Sequence, residues 1–157
     1  MAGVFRLANE AWEALFRAQA TLAREFEQAG AWGGFAPSEY GVLYALAGHD
    51  EGLRITELID DVLLTQAGVS RLVARLEQRG LVERRSDPQD GRASRIVLTE
   101  EGHSVQVRLG RVHARHVAAA MTRSLDPAQL RALRDLSRAL LDEQQHAASP
   151  EGSQTVR

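Results

Sequence analysis

Between residues 65 and 102 the hydrophobic pattern changes period twice, and this change restricts the fold more than any other feature of the chain. From Thr65 to Arg79 the apolar residues Val69, Leu72, Val73 and Leu76 recur at helical spacing. Thr65 suits an N-cap, because its hydroxyl can accept from first-turn amides. Gly80 suits the residue just past the helix, because it tolerates a left-handed backbone. Leu81–Arg85 and Ser94–Leu98 then alternate as two short strands around SDPQDGRA, a loop with Asp-Pro and Asp-Gly turn signals. Helical spacing resumes after Thr99. The pattern predicts a helix, a hairpin with a long tip and another helix.

The flanking segments are helical. Val4, Phe5, Leu7, Ala8, Ala11, Trp12, Leu15, Phe16, Leu22 and Phe26 make an amphipathic run to about Gln28, ended by the glycines of residues 30–34. A second helix opens at Pro37, a good first helical residue, and runs to Gly48; a third covers Ile55 to about Leu63. After the hairpin a fifth helix runs from Glu100 to about Arg123. Asp126, Pro127 and Gln129 open a sixth, with Leu130, Leu133, Leu136 and Leu140 on one face. The polar segment 147–157 is expected to be a disordered tail. The predicted fold class is therefore mainly α with a small β-hairpin wing, a winged helix-turn-helix pattern between outer helices. In a chain of 157 residues little else can cover the apolar faces of those outer helices. A homodimer would bury them together.

Composition removes several function classes. There is no cysteine, which excludes disulfides, thiolate zinc sites and thiol redox sensing. No apolar run reaches the roughly 18 residues of a membrane span, and the start lacks a signal-peptide core, so a cytoplasmic protein without membrane contact is expected. No nucleophile elbow, zincin motif or phosphate loop is present, so neither enzyme chemistry nor a cofactor is expected. The net charge of -2 disfavours an indiscriminate polyanion binder. That sum hides a regional excess: residues 71–95 hold seven arginines against four acids.

A helix-turn-helix reads DNA when one helix face is anchored in the core and the other presents short polar and arginine side chains. With Val69, Leu72, Val73 and Leu76 anchored, the outward set is Gln66, Ala67, Ser70, Arg71 and Ala74. The small residues would admit this helix (about 65–79) to a major groove about 12 Å wide. Arg71 is the leading base reader, since its planar fork matches the two acceptors of guanine; Gln66 and Ser70 are lesser readers, Thr65 both caps the helix and joins the DNA-contacting set, and Arg75 reaches phosphate. On the hairpin Arg84, Arg85, Arg92 and Arg95 cluster, and Arg84 and Arg95 are expected to contact DNA together with Arg92. Arg92, flanked by Gly91 and Ala93, can enter a narrow minor groove from the wing tip (about 86–94), and Asp90 is placed to hold its guanidinium.

The run SRLVARLEQRGLVERRSDPQDGRASRIVLTEEG, Ser70–Gly102, resembles the core signature of the MarR-type (multiple antibiotic resistance regulator) winged helix-turn-helix transcription factors. It carries the R-L-E-x-x-G-L-V helix end, the D-x-x-D-x-R wing and the L-T-x-x-G helix opening in order, and the resemblance extends over about residues 4–145. It implies a homodimeric, sequence-specific transcriptional regulator, a ligand-responsive repressor on a pseudo-palindromic operator. Residues 4–34 and 100–146 would form the helical dimerisation region and 35–99 the DNA-binding domain. Arg71 falls on a base-contacting position, Arg92 on the wing arginine and Asp90 on its acidic support. Gly91 departs from the arginine many members carry there.

The resemblance also implies a small aromatic or phenolic effector held between the dimerisation helices and the winged domain. The candidate lining is Trp12, Phe16, Tyr40, Tyr44, His113 and His116, aromatic walls with polar tips. Two other readings stay open. His113 and His116, spaced i, i+3, could begin a metal site with His49 or an acid, making a metal-responsive regulator of the same fold. A winged-helix module that binds protein would instead need an acidic or apolar recognition face.

Overall fold

The computed structural model describes residues 1–62 and 64–148. Its elements are α1 (Ala2–Gln28), α2 (Pro37–Ala47), α3 (Ile55–Val62), α4 (Gln66–Gln78), β1 (Val82–Ser86), β2 (Ser94–Leu98), α5 (Glu100–Thr122) and α6 (Pro127–Ala148). The chain divides into two compact units, residues 1–116 and 117–157. The expected tail began at 147, but α6 continues to Ala148; residues 149–157 lie outside the described ones. Among the described residues no helix is long and apolar enough to cross a membrane.

Local chemistry sets the element ends. Thr65 Oγ1 accepts from the Gly68 amide at 3.2 Å, closing the start of α4. At its other end Gly80 takes φ +71°, its amide donates to Glu77 and the Leu81 amide donates to Leu76, so the orphan carbonyls of the last turn are satisfied. Leu81 is thereby spent on this cap, and β1 begins one residue later than its side-chain alternation suggests. In the second unit Asp126 Oδ1 accepts from the amides of Ala128 and Gln129, and Gln129 Oε1 accepts from the Asp126 amide, the reciprocal cap expected there.

β1 and β2 pair antiparallel from Val82↔Leu98 to Ser86↔Ser94. Leu53 adds a short third rung by exchanging both backbone hydrogen bonds with Ile96, at 3.0 and 2.8 Å. This rung was not expected from the sequence. It depends on Gly52, which has φ +73° and lies so close to β2 that a Cβ there would fall 2.4 Å from the Ile96 carbonyl oxygen. The hairpin is thus tied to the segment before α3.

The core of the first unit gathers Val42, Leu43, Leu46, Leu58, Val69, Leu72, Val73, Leu76, Leu81, Val82, Ile96, Val105 and Leu109. All four residues of the expected anchored face of α4 are buried. Each fully buried leucine contributes roughly 2–3 kcal/mol by leaving water, so α4 is held from one side only and its opposite face remains available. The outer helices differ. On α1 Val4, Phe5, Leu7, Trp12 and Phe16 are exposed, and on α6 Leu136, Leu140 and Leu141 are exposed.

Candidate nucleic-acid interface

The arginines of the central segment separate into two groups, which the sequence alone could not distinguish. One group is paired with acids of the protein itself, with Arg84 and Arg85 at the surface. Arg95 donates from Nε to Asp87 Oδ2 at 3.0 Å and from a terminal nitrogen to the Gly52 carbonyl at 2.9 Å, with only 20% of its side chain exposed. Arg54 donates to the same Asp87 oxygen at 2.7 Å, and Asp87 is itself buried. Arg84 pairs with Glu77 at 3.1 Å, joining β1 to α4. Arg85 pairs with Glu83 beside it. Arg84 and Arg95, expected to contact DNA, each brace the hairpin through these pairs.

The second group faces outward. Arg71 and Arg92 are exposed and, among the described residues, meet no carboxylate. Gln66 is exposed one turn before Arg71, and Ser70 is half-buried beside it. Arg71 and Arg75 border a shallow concavity with Ser38, Gly68 and Ala74, the small residues that let the outer face of α4 approach a flat partner closely. Arg75 leans toward Glu39 at 3.9 Å yet stays largely exposed.

The wing tip is set by its own backbone. Asp87 N–H donates to the Ala93 carbonyl, and Ala93 N–H donates back to the Asp90 carbonyl. Asp90 Oδ1 accepts from the Arg92 amide at 3.1 Å, an Asx-type turn, so it orders the backbone under Arg92 and does not hold its guanidinium as expected. Gly91 faces open space, where a Cβ would meet nothing within 4 Å. The Arg92 side chain is left to project from a loop whose backbone is already fixed.

Sequence reasoning assigned no role to Asp87 and overlooked Arg54. Asp87 is the first acid of the D-x-x-D-x-R pattern, but its partner Arg54 lies 33 residues away and no local signal links them. The Arg54 hydrogen bond, then the Gln89 amide and the charges of Arg54 and Arg95, hold the Asp87 carboxyl at about 2 against an ordinary 3.8, although burial raises it. Because the folded-state value is the lower one, this stabilisation is present above about pH 4 and is lost as pH falls towards 2. Asp87→Asn should therefore melt below wild type at pH 7, with a gap that closes between pH 4 and 2. Thermal melts across that range check this; a gap independent of pH contradicts the ion-pair account.

An aromatic cluster forms away from α4. Trp32 stacks on His113 with centroids 4.5 Å apart, Tyr40 lies 5.3 Å from Trp32 and 5.6 Å from His113, and Phe26 meets His113 edge-on at 5.4 Å. Tyr44 extends it toward solvent, 6.0 Å from Tyr40. Burial, then the neighbouring charge of His116, pushes the His113 pKa down, which favours its neutral form. Burial also raises the Tyr40 pKa. Trp32 Nε1 and His113 Nδ1 are buried without hydrogen-bond partners among the described residues. Of the expected lining, Tyr40, Tyr44 and His113 come together with His116 near by. Trp12 and Phe16 do not: they stack on each other, 6.4 Å apart, on the exposed face of α1. Trp32 and Phe26 were missed because Trp32 sits in a glycine-rich turn, where nothing in the local pattern marks a packed residue. Among the described residues no three histidine or acidic side chains converge as a metal site would require.

Three comparisons bear on this geometry. A sequence profile described as the MarR family matches residues 34–93. The transcriptional regulator HosA of Escherichia coli O111:H- is 37% identical over 67 residues, 43% of this chain and 49% of HosA, so the match spans about half the length of that relative. Among solved structures, Sco3205 of Streptomyces coelicolor, described as a MarR family transcriptional regulator in complex with DNA, is 29% identical, with 94% of this chain and 92% of Sco3205 covered and a TM-score of 0.75. The PcaV transcriptional regulator of Streptomyces coelicolor, solved with its natural ligand, is 31% identical, with 87% and 89% covered and a TM-score of 0.60.

Proposed function

The chain belongs to the MarR family, and from that premise we propose that it is a homodimeric, sequence-specific DNA-binding repressor whose operator affinity is set by a small aromatic or phenolic effector. One observation carries the DNA-binding reading. Of the arginines between 71 and 95, Arg84, Arg85 and Arg95 are met by acids around the hairpin and Arg75 and Arg79 face Glu39, while Arg71 and Arg92 meet no carboxylate among the described residues and project from the two elements that a winged helix presents to a duplex. α4 enters the major groove, where Arg71 meets guanine with Gln66 and Ser70 beside it. The wing places Arg92 in the flanking minor groove, and Arg75 takes a phosphate. That Sco3205 was solved with DNA supports this reading.

The dimer is supported by the exposed apolar faces of α1 and α6, too large for a chain that remains alone. It presents two copies of α4 about 34 Å apart, so half-site centres fall near 10 bp. The effector reading rests on the cluster of Trp32, Tyr40 and His113. Its rings match a flat aromatic ligand, and the unpartnered Trp32 Nε1–H and His113 Nδ1 match a hydroxyl or carboxylate on its rim. A ligand that fits best when the two α4 helices are wrongly spaced lowers operator affinity through its preference for that state.

Selecting bound fragments from a genomic library and footprinting them tests the function. The expected product is a pseudo-palindrome; a single asymmetric half-site in every selected fragment contradicts the dimeric reading. On that operator, Arg71→Ala should cost about 1–3 kcal/mol, roughly 5- to 150-fold in affinity, concentrated at one base pair. Arg92→Ala should weaken discrimination of A·T from G·C at the flanks. Binding titrations against single-base operator variants separate the two effects. A uniform loss across all sequences would recast Arg71 as a phosphate contact.

A further inference from the structure

The segment between α1 and α2 touches both the aromatic cluster and the recognition helix. Trp32 and Phe35 are the ends of a tight turn closed by the Phe35 amide donating to the Trp32 carbonyl at 2.9 Å. Both central residues have positive φ, Gly33 at +53° and Gly34 at +83°, a turn that glycine adopts without strain. A Cβ at Gly33 would sit 3.0 Å from Leu109, so the turn is also pressed against α5. The turn therefore joins Trp32 to Phe35 through one hydrogen bond. Trp32 stacks on His113, while the Phe35 ring lies under the Arg79 guanidinium, 3.9 Å from it, at the C-terminal end of α4.

Four residues on, Glu39 completes the link. Its Oε2 accepts from the Ala36 amide at 2.9 Å, and its Oε1 faces Arg79 at 3.5 Å and Arg75 at 3.9 Å. Glu39 is buried, so its charge is met by two arginines of one helix and one amide of the turn. Resting on the DNA-binding reading, we propose that Glu39 is a positioning residue for operator recognition: it and Phe35 clamp the end of α4, and the Trp32–Phe35 turn ties that clamp to the aromatic cluster. Displacement of Trp32 shifts the Arg79 end of α4 and changes the angle at which Arg71 meets the groove. By linkage, seating α4 on an operator alters the surroundings of Trp32.

Glu39→Gln tests this, since the amide oxygen can still accept from Ala36 while the pairing with Arg75 and Arg79 is lost. Operator affinity should fall about tenfold, with affinity for random-sequence DNA unchanged or slightly raised. In protein labelled with 5-fluorotryptophan, the position-32 fluorine resonance of wild type should shift with operator and not with random DNA, and the variant should lose that shift. Without DNA, amide exchange over the last turns of α4 should quicken while that of β1 and β2 holds. Equal losses on operator and random DNA, a Trp32 resonance indifferent to the operator, or unchanged α4 exchange overturns the proposal. If wild type prefers no DNA sequence, the DNA-binding reading fails by itself, and α4 exchange still decides whether Glu39 holds that helix.

Discussion

Gly102→Ala is expected to lower stability by about 3 kcal/mol, a drop of roughly 10 °C in melting midpoint for a chain of this size. A Cβ at Gly102 would fall 1.9 Å from the Leu81 carbonyl oxygen and 2.9 Å from its carbon. Neither is the flexible end of a side chain. Leu81 is held by its amide N–H donating to the Leu76 carbonyl and by the Thr99 amide donating to its oxygen. Thr99 tightens the same junction: its hydroxyl donates to the Gly80 carbonyl at 2.7 Å and accepts from the Gly102 amide at 3.0 Å. The first turn of α5 thus rests on the backbone that leaves α4, and the methyl group must push them apart. Gly91→Ala is the matched control, because its Cβ meets nothing within 4 Å, and it should change the midpoint by a degree or two at most. Equal midpoints for the two variants would contradict the packing account.

Leu136→Glu is expected to give the largest effect on function. Leu136 is 68% exposed on α6, in line with exposed Leu140 and one turn after Leu133. A charge there costs the single chain little, because the side chain already faces water. In a dimer it would bury an unpaired carboxylate, which apolar contact cannot compensate. The variant should sediment as a monomer with an unchanged circular dichroism spectrum. Losing the second half-site removes the gain of bivalent binding, so operator affinity should fall by about 10²- to 10⁴-fold while weak binding to random DNA persists. Sedimentation and titration on one sample decide it. A variant that stays dimeric takes this face of α6 out of the interface, and a wild type that is monomeric at micromolar concentration removes the bivalent mechanism.

The order of elements was legible because each rests on a local rule. Apolar spacing marked the helices, Thr65 and Asp126 marked their starts, and Gly80 was recognisable as a helix stop because only a left-handed residue closes that cap without strain. The hairpin was legible from alternation and from Asp-Pro and Asp-Gly. The roles of the charges were less so. Asp90 was expected to hold the Arg92 guanidinium and instead accepts from the Arg92 backbone amide, a choice that the local turn geometry makes and spacing does not reveal. Asp87 and Arg54 are separated by 33 positions, a distance over which no spacing rule operates.

The candidate effector cluster shows the same division. Tyr40, Tyr44 and His113 were named as aromatic or titratable residues on helices; Tyr40 meets both of the others directly, and the turn at 30–35 adds Trp32 against Tyr40 and His113. Trp12 and Phe16 carry an equally aromatic signature and stay on the outer face of α1. By itself, the amino-acid sequence determined the helices, the wing, the family signature and the absence of thiol chemistry, all of which follow from residue type and short-range spacing. Tertiary structure alone decided which arginines are consumed as braces and which remain free. A charge is neutralised by whatever lies within a few ångströms of it, and in a folded chain those neighbours come from distant parts of the sequence.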